Sequence, residues 1–442
     1  MGNQPFFLIS HLEMEKLYSI FTQSSGISTD TRTIGEGTFF IALKGDNFDA
    51  NTMIDEALTK GAFHVVTTNK KYCNHERVTV VEDTLKTLQQ LAAFHRKTLN
   101  TTIVGITGTN GKTTTKELIA SVLRKKYNTY ATQGNLNNHI GVPLSLLSIT
   151  KEHDIAVIEM GANHPKEIAT LASIVCPNAG LITNVGMAHI EGFGSFDGVK
   201  ATKGELYAQL KKDNGTVFIN ATNPHLYEML GDYDKCFSYG TDAETCIIDG
   251  HITERKETLC FEWSYNSSTY YNVETQITGS YNLENALAAV AVGCFYDVKH
   301  SDICEAITNY SPTNSRSQII ETKRNRIIMD AYNANPSSMN ASLDNFSSIN
   351  RDNKVVILGA MRELGDEQHQ QHSIIVEKLS TMQLDKVFLI GNEWKEFAKS
   401  YPNFIFADDA SDIKSQAESL SDKYILVKGS RSNKLERTLD WL

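Results

Sequence analysis

From Ile103 to Glu117 the chain reads IVGITGTNGKTTTKE. An apolar run ends in a glycine-rich turn, and Lys112 and Thr113 then open a segment with apolar residues at Leu118, Ile119, Val122 and Leu123, the spacing of one helix face. A strand that is apolar at every position needs a sheet covered on both faces. Two further runs of this kind follow, IAVIEMG at 155–161 and GLITNVG at 180–186, with helical stretches between them. Such alternation predicts a doubly wound, mostly parallel sheet whose ligands bind beyond the carboxyl ends of its strands.

The turn fits a phosphate loop of the form G-x-x-G-K-T from Gly108; the longer pattern would need glycine where Ile106 stands. Gly108, Thr109, Asn110, Gly111 and Thr114 would bring backbone N–H groups close to phosphate oxygens, with the helix N-terminus adding favourable potential. Lys112 would reach the outer phosphates, and Thr113 would place its hydroxyl on Mg²⁺. Kinases, motors, GTPases and ligases all share such loops, so the downstream residues must discriminate. Glu159 ends the strand IAVIEMG on the same edge of the sheet. Mg²⁺ takes one or two carboxylates plus phosphates and waters, so Glu159 with Thr113 would suffice; a plain strand-end ion pair is the other reading. His189 follows the next strand end and Lys203 lies in ATKGELY, but spacing alone singles out neither.

Around this centre, the first hundred residues carry the short apolar runs GTFFIAL (37–43) and AFHVVT (62–67), with a helical pattern at Ile54, Ala57 and Leu58. These predict a small α/β domain. Between Thr216 and Gly279 the segments TVFIN, TCIIDGHIT, TLCFEWSY and YYNVETQIT suit an added antiparallel sheet, followed by the helix NLENALAAVAVGCFY. After SPTNS (311–315), read as a linker, the runs RIIMDAYN, KVVILGAM, KVFLIG and KYILVKGS predict a Rossmann-like α/β domain. The expected organisation is therefore an α/β protein of three domains, 1–100, 101–312 and 313–442, with hinges near Thr101 and Pro312.

Composition narrows the function classes. Forty-two Lys and Arg against 52 Asp and Glu give 442 residues a net charge of −10, which disfavours nucleic acid or an anionic membrane as partner. No apolar stretch approaches the ~18 residues of a membrane span, and MGNQPFFLISHLEMEKL lacks a charged leader, so a cytoplasmic protein is expected. Seven scattered cysteines without a C-x-x-C pair fit reduced thiols better than a disulfide framework or zinc site.

Taken together these residues resemble the Mur ligase family, ATP-dependent amide-forming enzymes of peptidoglycan precursor synthesis, over nearly the whole chain. GTNGKTTTKE is similar to its ATP loop, EMGANHPKEI to its Glu-bearing strand end, and ATKGELY to the segment whose lysine is carbamylated by CO₂ in many members. Within the family, TQGNLNNHIGVPLSLL, DAYNANPSSM, RELG and LVKGSRS resemble the branch that joins D-alanyl-D-alanine to UDP-N-acetylmuramoyl-tripeptide. Departures are Thr31 between Asp30 and Arg32, Ala50 after Asp49, and Ala360 before Met361.

The resemblance implies ATP and Mg²⁺ as cofactors, these two small molecules as partners, no nucleic acid, and a monomer. It implies a catalytic role for Lys112, one Mg²⁺ on Thr113 and Glu159, and a second on carbamylated Lys203 with His189. Asn282 and Asn285 would lie near the adenine, and Asp330, Asn333 and Asn335 would reach the nucleotide; caps and turns are equally good readings of these five. Asn135, Asn137 and Asn138, with Asp30, Arg32, Arg316, Lys428 and Arg431, would meet the other substrates. Another carboxylate–amine ligase of this architecture, such as a folylpolyglutamate synthase, or a phosphate-loop kinase, are the alternatives.

Overall fold

The structure, a computed structural model, describes residues 10–312 and 315–442; the N-terminal apolar run and part of SPTNS lie outside them. Its strands form three sheets. The first is parallel and in chain order: Gly26–Ser28, Thr38–Ile41, His64–Thr67 and Val78–Val80. The second has nine strands, with Thr102–Thr107 between Ile155–Glu159 and Ala179–Ile182 and Thr129–Ala131 at the edge. The third has six, and Arg326–Asp330, Tyr424–Lys428, Lys354–Gly359, Lys386–Ile390 and Ile405–Ala407 run parallel in that spatial order. The strand Gln318–Glu321 adds an antiparallel edge.

The continuous apolar runs become central strands because both faces are covered. In Ile155–Glu159, Ala156 and Ile158 pack with one core while Ile155 and Val157 pack with the other. Helices Lys112–Leu123 and Leu283–Phe295 cover the second face. They approach closely because the latter is rich in small residues: a Cβ on Gly293 would lie 2.6 Å from Val122.

One expectation changes. The alternating segment TVFIN, grouped with the antiparallel strands, runs parallel to Ala179–Ile182, and Cys236–Gly240 and Ile248–Arg255 continue the parallel order. Only Thr258–Tyr265 runs against the others in this sheet, pairing antiparallel with Ile248–Arg255 on one side and Tyr270–Thr278 on the other, and both strands extend the nine-stranded sheet itself. TVFIN is covered on both faces, Val217 and Ile219 by one core and Phe218 by the other, as a strand inside a parallel sheet must be.

The linker near Thr101 is braced. The helix Thr84–Thr98, N-capped by Asp83, presents Leu88, Leu91, Ala92 and His95 at helical spacing to a core shared by the first and second sheets. From its last turn Arg96 donates to the carbonyls of Val175 and Cys176 (2.9 and 3.1 Å) and to Asn178 Oδ1 (2.9 Å). His95 Nε2 adds a 2.8 Å contact to the Ile149 carbonyl. The first two sheets therefore share one packed unit. Among the described residues no helix is long and apolar enough to cross a membrane, and all seven cysteines are free thiols. Arg96→Met, which strands carbonyls on the central unit, should lower unfolding free energy by about 1–3 kcal/mol in urea denaturation; an unchanged midpoint would contradict the bracing role.

Candidate active site

Strand, loop and helix converge at the topological switch point. The chain leaves Thr102–Thr107, passes the glycine turn, and enters Lys112–Leu123 with Gly111 as a left-handed N-cap at φ 78°. A Cβ on Gly111 would sit 2.5 Å from Asn285 Oδ1. The loop is held from the neighbouring strand end: Thr109 N donates to the Asn184 carbonyl (2.9 Å), Asn110 N to Asn184 Oδ1 (2.9 Å), and Thr183 Oγ1 to the Asn110 carbonyl (2.6 Å). Lys112 folds over it, Nζ donating to the carbonyls of Gly108 and Thr109 at 2.8 and 2.9 Å. Burial lowers the Lys112 pKa, the Glu159 charge opposes that shift, and Arg316 reinforces it.

Glu159 ends the adjacent strand with 1% of its surface exposed. Thr113 Oγ1 donates to its Oε2 at 2.9 Å and Asn137 Nδ2 to its Oε1 at 2.8 Å, while its own backbone N donates to Thr132 Oγ1 at 3.0 Å. Both carboxylate oxygens are thus aimed by neutral donors. Further out, Lys203 is buried, with Nζ 3.4 Å from the Ala162 carbonyl and 5.2 Å from the Phe193 ring centroid. Burial, helped by the Lys112 charge, pulls its pKa down to about 7. His189, left-handed at φ 52°, stands at the N-cap of the short helix Ile190–Phe193 and pairs through Nδ1 with Glu363 of the third sheet's unit. Burial lowers its pKa against the pull of Glu363. Among the described residues no three His, Cys, Asp or Glu side chains form a ready metal cluster.

A cavity of about 1200 Å³ opens beside these groups, between the second and third sheets. Thr109–Thr114, Asn137, Asn138, Glu159, His189, Asn282, Asn285, Arg316, Asp330, Asn333 and Lys428 all reach its wall. Asn282 and Asn285 are not helix caps by their side chains but a buried relay: Thr115 Oγ1 donates to Asn285 Oδ1 (3.0 Å), Asn285 Nδ2 to Asn282 Oδ1 (2.8 Å), and Asn282 Nδ2 to the Thr278 carbonyl (2.8 Å). Asn335 does cap Pro336–Ser348, in a capping box with Ser338, and its Nδ2 also donates to Asn110 Oδ1 at 2.8 Å. Asp330 and Lys428, opposite each other on adjacent strands, pair at 2.6 Å. Asn333 Oδ1 accepts the Ala334 N–H, and Asn138 Oδ1 accepts those of Ile140 and Gly141, so turn roles are realised for both.

Other expected residues stand apart. Asn135 is exposed and contributes its carbonyl to the turn, and Gly108, Lys203, Asn335 and Arg431 lie behind or beside the cavity wall. Asp30 and Arg32 form an exposed pair in the first sheet's unit, at 2.6 Å, which holds the Asp30 carboxyl at about 2. Thr183, Asn184, Thr115, Thr132, Tyr332 and Glu363 were missed. Asn184, two residues beyond a buried strand end, was within reach of the strand-end rule; the others depend on packing between distant segments.

A Mur ligase middle domain matches residues 106–293 and a Mur ligase glutamate-ligase domain residues 315–431. The UDP-N-acetylmuramoyl-tripeptide–D-alanyl-D-alanine ligase of Bacillus subtilis is 33% identical, over 93% of this chain and 91% of that protein. The chain belongs to the Mur ligase family. This Mur ligase is also 33% identical to the Escherichia coli protein of the same name, over 93% and 92% of the two chains. Its fold is similar to MurF from Acinetobacter baumannii, with TM-score 0.86 at 28% identity over 97% of each chain. It is equally similar to a Thermotoga maritima MurF ligase solved in complex with ADP, with TM-score 0.84 at 29% identity over 96% of this chain and 97% of that one. Gly111→Ala should cost this Mur ligase about 3 kcal/mol, from left-handed strain plus the Asn285 clash, read by equilibrium denaturation. A loss below about 0.5 kcal/mol would mean the loop relaxes freely.

Proposed function

We propose that this Mur ligase joins D-alanyl-D-alanine to UDP-N-acetylmuramoyl-tripeptide at the expense of ATP. The γ-phosphoryl group passes to the terminal carboxylate of the tripeptide, giving an acyl phosphate and ADP. The dipeptide amine then attacks that carbonyl, a tetrahedral intermediate collapses, phosphate leaves, and an amide forms. The observation that carries this reading is the buried Thr113–Glu159 pair beside the phosphate loop, in a chain whose full-length relatives bear that ligase name.

Positioning and charge stabilisation do the chemistry, so the residues act as holders. Lys112, lying over the loop, would exchange its two carbonyl partners for phosphate oxygens and neutralise the transferring group. Thr113 and Glu159 fit a Mg²⁺ ion as hard oxygen donors, one hydroxyl and one charge, with the remaining positions left to phosphate and water. An ion held by these two residues would supply charge screening between the two anions that must meet. Lys203 as an ammonium is no ligand, but burial raises its neutral fraction, and a neutral amine can add CO₂ with loss of a proton; the resulting carbamate with His189 would hold a second ion. Asn137, which the sequence suggested as a substrate contact, would act by aiming Glu159.

The first sheet's unit would handle the nucleotide-sugar, the central sheet ATP, and the third unit would fold over the dipeptide. Lys428 and Asp330, already paired, with Asn333 and Asn335, would bring that unit to the nucleotide.

Incubating the protein with ATP, Mg²⁺ and both substrates should give the UDP-N-acetylmuramoyl-pentapeptide mass, one ADP per product, and no ATP turnover when the amine is omitted. Turnover without the amine would favour a kinase. Glu159→Gln should lower kcat by about 100-fold or more while retaining the fold, as read by circular dichroism. Lys203→Ala should be inactive yet partly rescued by a short added carboxylate; full activity without additive would remove the carbamate.

A further inference from the structure

One aromatic ring in the cavity wall has no part in this mechanism. Tyr332 lies two residues beyond the carboxyl end of Arg326–Asp330. The guanidinium carbon of Arg316 is 3.6 Å from its ring centroid and that of Arg431 is 5.9 Å. Arg316 arrives just before the edge strand Gln318–Glu321, whereas Arg431 arrives just after Tyr424–Lys428, where its backbone N donates to the Tyr332 carbonyl at 3.1 Å. One ring thus gathers two cations from segments far apart in the chain.

Neither cation has a carboxylate partner among the described residues, although ion pairs are common elsewhere on this unit. Arg316 Nε is buried with no hydrogen-bond acceptor among the described residues. A buried N–H without an acceptor is costly, and the negative face of an aromatic ring compensates the half-buried Arg316 here. At 3.6 Å the guanidinium lies against the ring face, with its Nε–H unclaimed among the described residues. The same wall holds Arg316 and Lys112, so this guanidinium shares a cavity with the phosphate loop.

We propose that Tyr332 is a positioning residue whose ring holds Arg316, flanked by Arg431, ready to receive a phosphate oxygen of the nucleotide. This rests on the nucleotide-binding part of the function proposed above. The phenol oxygen is dispensable in this role; the ring is not.

The test is a set of ATP titrations without acceptor substrates, followed by steady-state kinetics. Tyr332→Phe should bind ATP within about twofold of the unaltered protein, whereas Tyr332→Leu should bind about tenfold more weakly, raise KM for ATP in parallel, and change kcat less than about threefold. In an Arg316→Met background Tyr332→Leu should have no further effect on ATP affinity, because the ring then has nothing to hold. Unchanged affinity in Tyr332→Leu, or a full further loss in the Arg316→Met background, would overturn the proposal. If the leucine variant does not fold, phenylalanines of increasing fluorination at position 332 keep the ring's shape while weakening its negative face. Affinity should then fall stepwise, and a flat series would overturn the role. A protein that binds ATP but forms no pentapeptide would refute the ligase reading alone, since the binding arm still decides on Tyr332.

Discussion

A carboxylate almost sealed from water is expensive unless donors surround it, and Glu159 is the group around which this molecule is arranged. Its two oxygens are met by Thr113 from the first turn of the phosphate-loop helix and by Asn137 from the loop after the edge strand Thr129–Ala131. Its backbone is tied to Thr132 on that same loop. Three segments separate in sequence must therefore be in register before the charge is tolerated. The parallel sheet supplies that register: Ile106 lies opposite Glu159, and the switch in strand order opens the crevice in which the carboxylate and the loop face one ligand.

The third unit is attached to this centre through polar contacts rather than a shared apolar core. Asn335 reaches Asn110 of the loop, Ser337 Oγ accepts the Met187 N–H, His189 meets Glu363, and Glu257 holds Arg326 at 2.6 Å. The first and second units, by contrast, share one apolar cluster and the Arg96 clasp. Polar interfaces of this kind are those expected to open and close, since each contact can be exchanged for water at small net cost. The connection near Thr101, one of the two hinges the sequence suggested, is instead clasped by Arg96 and the shared core.

Much of the centre was legible because it rests on local rules. Apolar runs ending in glycine became the central strands, and GTNGKT, Glu159 and the Asn282–Asn285 helix start converged on the cavity. What escaped was set by packing between remote segments. Nothing local says that Thr115 orders the two asparagines, that Asn137 serves Glu159 instead of a ligand, or that Arg316 and Arg431 share Tyr332. Strand direction in TVFIN escaped for a related reason: direction is set by the connection that brings the strand back, which no short segment records. His189 and Lys203 gained meaning only from family resemblance, and the structure adds that both flank Phe193.

The central claim is that the acceptor carboxylate is activated as an acyl phosphate at the loop beside Glu159. It is tested most directly by following oxygen. With UDP-N-acetylmuramoyl-tripeptide labelled by ¹⁸O in its terminal carboxylate, each turnover with ATP and D-alanyl-D-alanine should deliver one labelled oxygen to the released inorganic phosphate and leave ADP unlabelled. Phosphate released without the label would contradict the account.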